Sequence, residues 1–600
     1  MGWKIMVKRS MHTAACFQSL RIPRRRKHAV RISYIILVAL LQCCPGLRAN
    51  CTAPNETIAV INAAIPGISG LCPRVLIDVE DGRLCDEQER IQMFKSGIPF
   101  KKIVSETAMT KIDPAQIRQS VAKYFKWIMF SHTWEGREPT LKDVNLVRSV
   151  WELDESPLNE KLRQFCIMAR ANGYRWAWSD TCCIDKDTSA ILSQSLLSMY
   201  SWYEKAAETL VYLADVSPSS EPGDLALTKS RWMTRAWALQ ELLASKVIRF
   251  YNRDWTLYLN DMRPNHKESP EIKQELAKAM GVAPETIRSF EPKDLGVREK
   301  LRLASTRNAT VEEDIAYSLL GIFSSDIIPQ YGLGRTALGQ LLENIVDRTG
   351  DVTVISWTGQ ASSYNSALPD SLRVYSQGPY TPPPMADSEL DACVERLRTQ
   401  LVPQDALAFY YRVIRLPRAT FRNRYLKLPC IMLTVSKIDK IQGTLYRATV
   451  SSLGEVEFRT TDVMPRKQPR RLVFVYPWIP NIRELLDGSV SDDEADAESD
   501  GGSSDKPESE SDGGWSDGID DASERVSPSD TDHSVEADPS SLLALRLIAR
   551  LVRPFNVLLL KEQSNKQQYK RVAAEHEIVI PGVPYNTNHS NILVGELEVV

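Results

Sequence analysis

RWAWSDTCCIDK, residues 175–186, is the stretch on which the fold of this 600-residue chain turns. Its first half is short, apolar and aromatic, the pattern of a strand covered on both faces rather than of a helix turn. At Asp180 the character changes abruptly to small and polar residues, which marks the carboxyl end of that strand. Upstream, 158–172 reads as a helix that stops at Gly173, a residue that accepts the left-handed backbone a helix end needs. Before it stands a second strand-like run, WIMFS from Trp127. Downstream, Leu192, Leu196, Met199, Tyr200, Tyr203 and Ala206 recur at helical spacing, with Asp187, Thr188 or Ser189 as the cap. TLVYLAD from Thr209, a helix over 234–245 and KVIRFY from Lys246 complete the alternation. Strand and helix alternating in this way predict an α/β unit, doubly wound around a mostly parallel sheet.

That architecture predicts where chemistry belongs, because open α/β sheets bind ligands beyond the carboxyl ends of their strands. Ser131, His132, Thr133 and Trp134 end the first strand, Asp180 to Cys183 the second, and Asp215 the third. The plainer reading of Asp180 and Asp215 is that they cap loops and helix starts. A nucleophilic role for Cys182 or Cys183 with His132 competes with ordinary burial of a strand-end cysteine.

The same residues carry a family resemblance. FSHTWEG (130–136), GYRWAWSDTCCIDK (173–186) and SRWMTRAWALQELLAS (230–245) are similar, in this order, to the three motifs of fungal heterokaryon-incompatibility (HET) domains. ASTRNATVEEDIAYSLLGIF (304–323), YGLGRTALGQLLENIV and GDVTVISWTG extend the likeness to the basidiomycete type, with Leu333 where that family often has Glu. RVLIDVEDGRLC (74–85) resembles the strand and turn with which many such proteins open. The resemblance implies a role in self/non-self recognition and programmed cell death. It also implies a fold resembling Toll/interleukin-receptor (TIR) domains, some of which cleave NAD with a glutamate on a helix following a tryptophan. By that analogy Glu241, one turn beyond Trp237, is the catalytic candidate, and Ser131, His132, Trp134, Asp180 and Trp237 are the candidates for holding substrate. NAD enters as a substrate, with no cofactor and no metal implied. Helical spacing puts Leu239, Leu242 and Leu243 on the apolar face and Glu241 largely opposite. Pairing with Arg235 or Arg231, or exposure to water, is the alternative for that carboxylate. A non-catalytic interaction module that assembles with other proteins, or with itself through the HET domain, is the alternative for the whole.

Other chemistries lack their signatures. The sequence holds no GxxxxGK[ST] or HExxH pattern and no GxSxG elbow between a strand and a helix, its one GxSxG match (514–518) lying in the acidic stretch, and Gly332, Gly334 and Gly339 do not fit GxGxxG. Eleven scattered cysteines, none in CxxC spacing, are neither a disulfide framework nor a zinc site. A net charge of −2 hides strong segregation. Residues 491–540 hold 18 acidic and 2 basic side chains, while 1–48 hold ten basic and no acidic ones. The folded part between them is close to neutral, which argues against nucleic acid.

The chain therefore divides into a basic leader (1–50), the HET domain (72–260), a helical extension (261–365), a β-rich unit (400–487), a disordered acidic linker (488–540) and a second β-rich stretch (541–600). Within the leader, ISYIILVALLQCC (32–44) is too short to cross a membrane and suits a signal segment. A cytoplasmic protein is the expectation, with secretion or membrane anchoring the alternative that this segment alone supports.

Overall fold

The structure is a computed structural model that describes residues 54–478 and 539–600, apart from 110–112, 379, 381–384, 452, 465–467, 565–566, 586, 588 and 590–591. The expectations for the basic leader and the acidic linker lie outside the described residues. Two compact units result: Met1–Asp294 with Arg307–Thr310 and Tyr317–Gln330, and Leu295–Thr306 with Val311–Ala316 and Tyr331–Val600. Among the described residues no helix is long and apolar enough to cross a membrane.

The first unit opens with helix α1 (Pro54–Ser69), then a hairpin of β1 (Leu76–Asp78) and β2 (Leu84–Cys85). Gly82 sets the hairpin turn. Its φ is +77°, and a Cβ there would lie 2.3 Å from Ser149 Oγ, so only glycine fits. Helices α2 (Glu87–Ser96), α3 (Ile98–Met109) and α4 (Pro114–Phe125) follow. Then come β3 (Trp127–His132), α5 (Pro157–Ala171), β4 (Trp176–Ser179), α6 (Ser189–Lys205), β5 (Glu208–Tyr212), α7 (Ala236–Ala244), β6 (Ile248–Tyr251) and α8 (Pro270–Met280). The local signals explain these bounds. Ser156 caps α5 by accepting from Asn159 N–H, Pro157 fills its first turn, and Gly173 leaves it at φ +81°. Ser269 caps α8, which stops at Gly281 with φ +62°.

The six strands run in the order β2-β1-β4-β3-β5-β6. β4, β3, β5 and β6 are parallel, as the sequence alternation predicts. The sheet is nevertheless mixed, because β1 pairs antiparallel with both β2 and β4. Taken in chain order, the parallel strands lie second, first, third, fourth, so the winding reverses between β3 and β5. All six residues of β3 are buried. Phe130 stacks on His132 (centroids 4.3 Å apart) and on Phe165 of α5 (4.4 Å), while Ser131 faces Glu241 of α7. Strand alternation thus puts α5 and α7 on opposite faces of β3.

The second unit contains helices α9 (Thr336–Thr349), α10 (Asp387–Gln400) and α11 (Pro403–Ile414). Strands β7 (Thr420–Arg422), β8 (Tyr425–Gln442), β9 (Leu445–Val450), β10 (Gly454–Arg459) and β11 (Leu472–Pro477) follow. After the acidic segment come α12 (Pro539–Leu551), β12 (Phe555–Glu562), β13 (Gln568–Arg571), β14 (Ile578–Ile580) and β15 (Leu593–Val599). Residues 541–551 correct the sequence reading, which took this stretch as strand-like. Its leucines and alanines bury one helical face, with Ala544, Leu547, Ile548 and Leu551 inside. β8 pairs with β11, β11 with β12, β12 with β13, β13 with β15 and β15 with β8, so these strands close a ring. Strands from both sides of 479–538 therefore share one sheet, around a core that includes Phe474, Leu559 and Val557.

Candidate functional site

The residues singled out at the strand ends fall into two sets rather than one. Ser131 and His132 are consecutive in β3, so they point to opposite faces.

On the α7 face, Ser131 donates its hydroxyl to Glu241 Oε2. The Trp232 indole donates to the same Ser131 Oγ at 2.7 Å. Arg235 Nη1 lies 3.8 Å from the other carboxylate oxygen and also donates to the His132 carbonyl. Behind it, Arg307 donates to the Arg235 carbonyl at 3.1 Å. The segment around Asn308 fixes the start of α7, since Ala236 N–H donates to Asn308 O at 2.8 Å and Asn308 N–H to Thr234 O at 2.7 Å. This corrects the placing of Glu241 opposite the apolar face. Residues 236 and 238–244 of α7 are all buried, and Glu241 itself is only 4% exposed. A helix wrapped on all sides has no water-facing stripe. Burial pushes the Glu241 carboxyl above its ordinary value, against the opposing pull of Arg235 and the Ser131 hydrogen bond. The Arg307 guanidinium is lowered to about 10 by burial, with Glu241 acting the other way.

On the α5 face, His132 Nε2 lies 3.3 Å from Asp180 Oδ1, and its Nδ1 lies 4.0 Å from Glu138 Oε1. Lys161 of α5 pairs with Glu138 and donates to the Thr133 carbonyl at 3.3 Å. Asp180 accepts from the Trp134 indole N–H at 2.9 Å, and the Lys186 ammonium sits 3.8 Å from the centre of the Trp134 ring. Burial raises the Asp180 carboxyl, but the neighbouring His132, Lys186 and Arg235 outweigh it and hold the group well below the usual carboxylate range. The environment therefore shifts the two carboxylates in opposite directions, Glu241 up and Asp180 down. Arg235 joins the sets, touching Glu241 on one side and the His132 carbonyl on the other.

The remaining candidates are placed differently. Trp237 is half-buried against the core, and among the described residues it takes no part in this hydrogen-bond network. Asp215 accepts from the Arg231 backbone N–H at 2.8 Å, and Arg231 also reaches Glu135 at 2.7 Å. Arg231 is therefore not the partner of Glu241. Cys182 and Cys183 are both buried, the arrangement of ordinary strand-end cysteines, and burial pushes the Cys183 thiol well above its ordinary value. Sequence reasoning missed Trp232, Lys186, Glu138, Lys161 and Arg307 as site residues. The first two lie inside quoted motifs. Arg307 also falls in a quoted stretch (304–323) but stands far along the chain from Glu241, and nothing local ties the two together.

The first unit is thus an α/β domain on a mixed sheet, with the carboxylates of Glu241 and Asp180 gathered near the carboxyl ends of β3 and β4. Residues 127–228 match the family model described as Heterokaryon incompatibility protein (HET). The chain is also 34% identical over 228 residues to "Vegetative incompatibility protein HET-E-1" of Podospora anserina, an alignment covering 36% of this chain and 16% of that protein. No solved structure matches. This chain carries a HET domain. The matched stretch holds Ser131, His132, Trp134, Asp180 and Lys186 and ends before Glu241.

Proposed function

We propose that this chain acts in fungal self/non-self recognition, that it triggers cell death, and that its HET domain is a doubly wound, TIR-like unit that cleaves NAD at Glu241. One observation carries the chemistry: a glutamate raised by burial sits beside the reversal of the sheet, one oxygen held by Ser131 and the other near Arg235. In the proposed step the bond between the nicotinamide nitrogen and ribose C1′ breaks, and both electrons leave with nicotinamide. Carboxylate charge from Glu241 stabilises the ribosyl oxocarbenium ion. Water adds to C1′ and gives its proton to Glu241 and then to solvent, so the products are nicotinamide, ADP-ribose and one proton. Ser131 and Arg235 position the carboxylate, and His132 and Asp180 orient the ribose or diphosphate. The proposed place of action is the cytoplasm.

The test is nicotinamide release from NAD by the full chain and by Glu241→Gln. The expected result is release by the parent that falls at least about 100-fold in the variant, in line with loss of a positioned acid–base group. The second reading is a non-catalytic module that assembles with other proteins or with itself. It is favoured by the burial of Glu241, which leaves little carboxylate surface for a substrate. Killing of host cells by both the parent and Glu241→Gln, with no nicotinamide released by either, would establish that reading instead.

A further inference from the structure

We propose that Trp134 and Lys186 form a ledge that binds a phosphorylated aromatic heterocycle, of which the adenine nucleotide half of NAD is an example. The inference rests on the reading of the strand ends as a nucleotide-handling site and assigns one part of the ligand within it.

Trp134 is 45% exposed, unusual for an indole so close to a buried strand end. It is nevertheless fixed. Its N–H donates to Asp180 Oδ2 at 2.9 Å, and Asp180 in turn lies 3.3 Å from the buried His132. A tryptophan pinned by its polar edge to a half-buried carboxylate presents a ring of defined orientation, the property a stacking platform needs. In the structure the Lys186 ammonium, 3.8 Å from the ring centre, lies over that face. An exposed cation–aromatic contact is weak and easily exchanged. A ligand bearing both a planar ring and a phosphate replaces it on both sides: the ring stacks on the indole, and the displaced ammonium pairs with phosphate oxygen. Neither half of such a ligand makes that exchange alone. Adenosine strips the cation from the indole and leaves it unpaired. Inorganic diphosphate draws the cation away and leaves the indole bare. The ledge belongs to the Asp180 set, so it addresses binding and is separate from the Glu241 carboxylate.

The experiment is titration of the full chain with ADP, adenosine and inorganic diphosphate, followed by calorimetry. ADP is expected to bind at least about tenfold more tightly than either fragment. Lys186→Gln should bring ADP to the affinity of adenosine, and Trp134→Leu to that of diphosphate. Both positions are exposed, and unchanged melting temperatures confirm that the variants fold. No binding of ADP to the parent, equal affinities for ADP and diphosphate, or ADP binding unaltered by Trp134→Leu would each overturn the proposal. Failure of the cleavage reading is a separate outcome: ADP binds as described while NAD is left intact by parent and Glu241→Gln alike.

Discussion

Burial makes a sharp demand on Glu138 and Lys161, since their side chains are only 5% and 4% exposed and they pair with each other. Removing one partner strands the other charge, whereas replacing both leaves none. Glu138→Ala should therefore lower stability by about 3–5 kcal/mol, and Glu138→Gln with Lys161→Met should recover most of it. Urea unfolding of the full chain, followed by tryptophan fluorescence, measures both. Ser131→Ala makes a second demand at this scale. It removes the hydroxyl that bridges the Trp232 indole and Glu241, so both lose a hydrogen bond inside the core. A loss of about 1–3 kcal/mol is expected in the same unfolding assay. How much of the site was readable depended on residue type. The polar ends of strands announce themselves against apolar runs, which is why Ser131, His132 and Asp180 stood out. Which face each occupies is a matter of parity along β3 that the motif resemblance treats as one cluster. The burial of Glu241 was not readable, because a leucine-rich helix carrying one glutamate looks amphipathic until a second layer covers its polar side.

Among the elements, β6 pairs with β5 alone within the sheet, and side chains cover its outer edge. Asn265 Oδ1 accepts from Ile248 N–H at 3.1 Å and His266 Nδ1 from Phe250 N–H at 3.1 Å. These contacts satisfy donors that would otherwise invite another strand. Beside them Lys267, 1% exposed, donates to Ser245 O at 2.5 Å, at the carboxyl end of α7. Burial lowers this amine from its ordinary 10.5 to about 7. Below pH 7 the folded and unfolded forms are both charged, and the folded form bears the whole desolvation cost. Between about 7 and 10.5 the unfolded chain still holds the proton that the folded chain has released, so this residue makes stability rise with pH. The melting temperature at pH 9 minus that at pH 7 should accordingly shrink in Lys267→Met, and an unchanged difference would show that the amine stays charged. The four parallel strands were legible because each is a short aromatic or β-branched run bounded by helix signals. The antiparallel β1 was legible as a strand but not in its direction, which is fixed by pairing rather than by composition. Helices α1, α3 and α4 carry none of the quoted motifs, and they pack largely on one another.

For the whole molecule, the closed ring of the second unit predicts that its two halves stay together without a covalent link. A protease site placed between residues 491 and 540 should, once cut, yield two fragments that co-elute on gel filtration. Their separation would show that the pairing of β11 with β12 and of β15 with β8 does not hold the unit. The sharing of one sheet across the acidic stretch was foreshadowed by the strand-like pattern of the final residues, but closure was not, because a ring depends on register between distant strands. The helix at α12 was misread since leucine-rich runs near a strand satisfy either periodicity over a short window. The ring also imposes a timetable. β8 is among the first of its strands to be synthesised, and β15, which pairs with it along seven residues, is the last. The parallel sheet of the first unit can form while the chain is still growing, but the second unit stays unfinished until its final strand leaves the ribosome. Its half-made edges are then exposed for the whole of that interval, the period in which nascent β-structure is most prone to pair with the wrong chain.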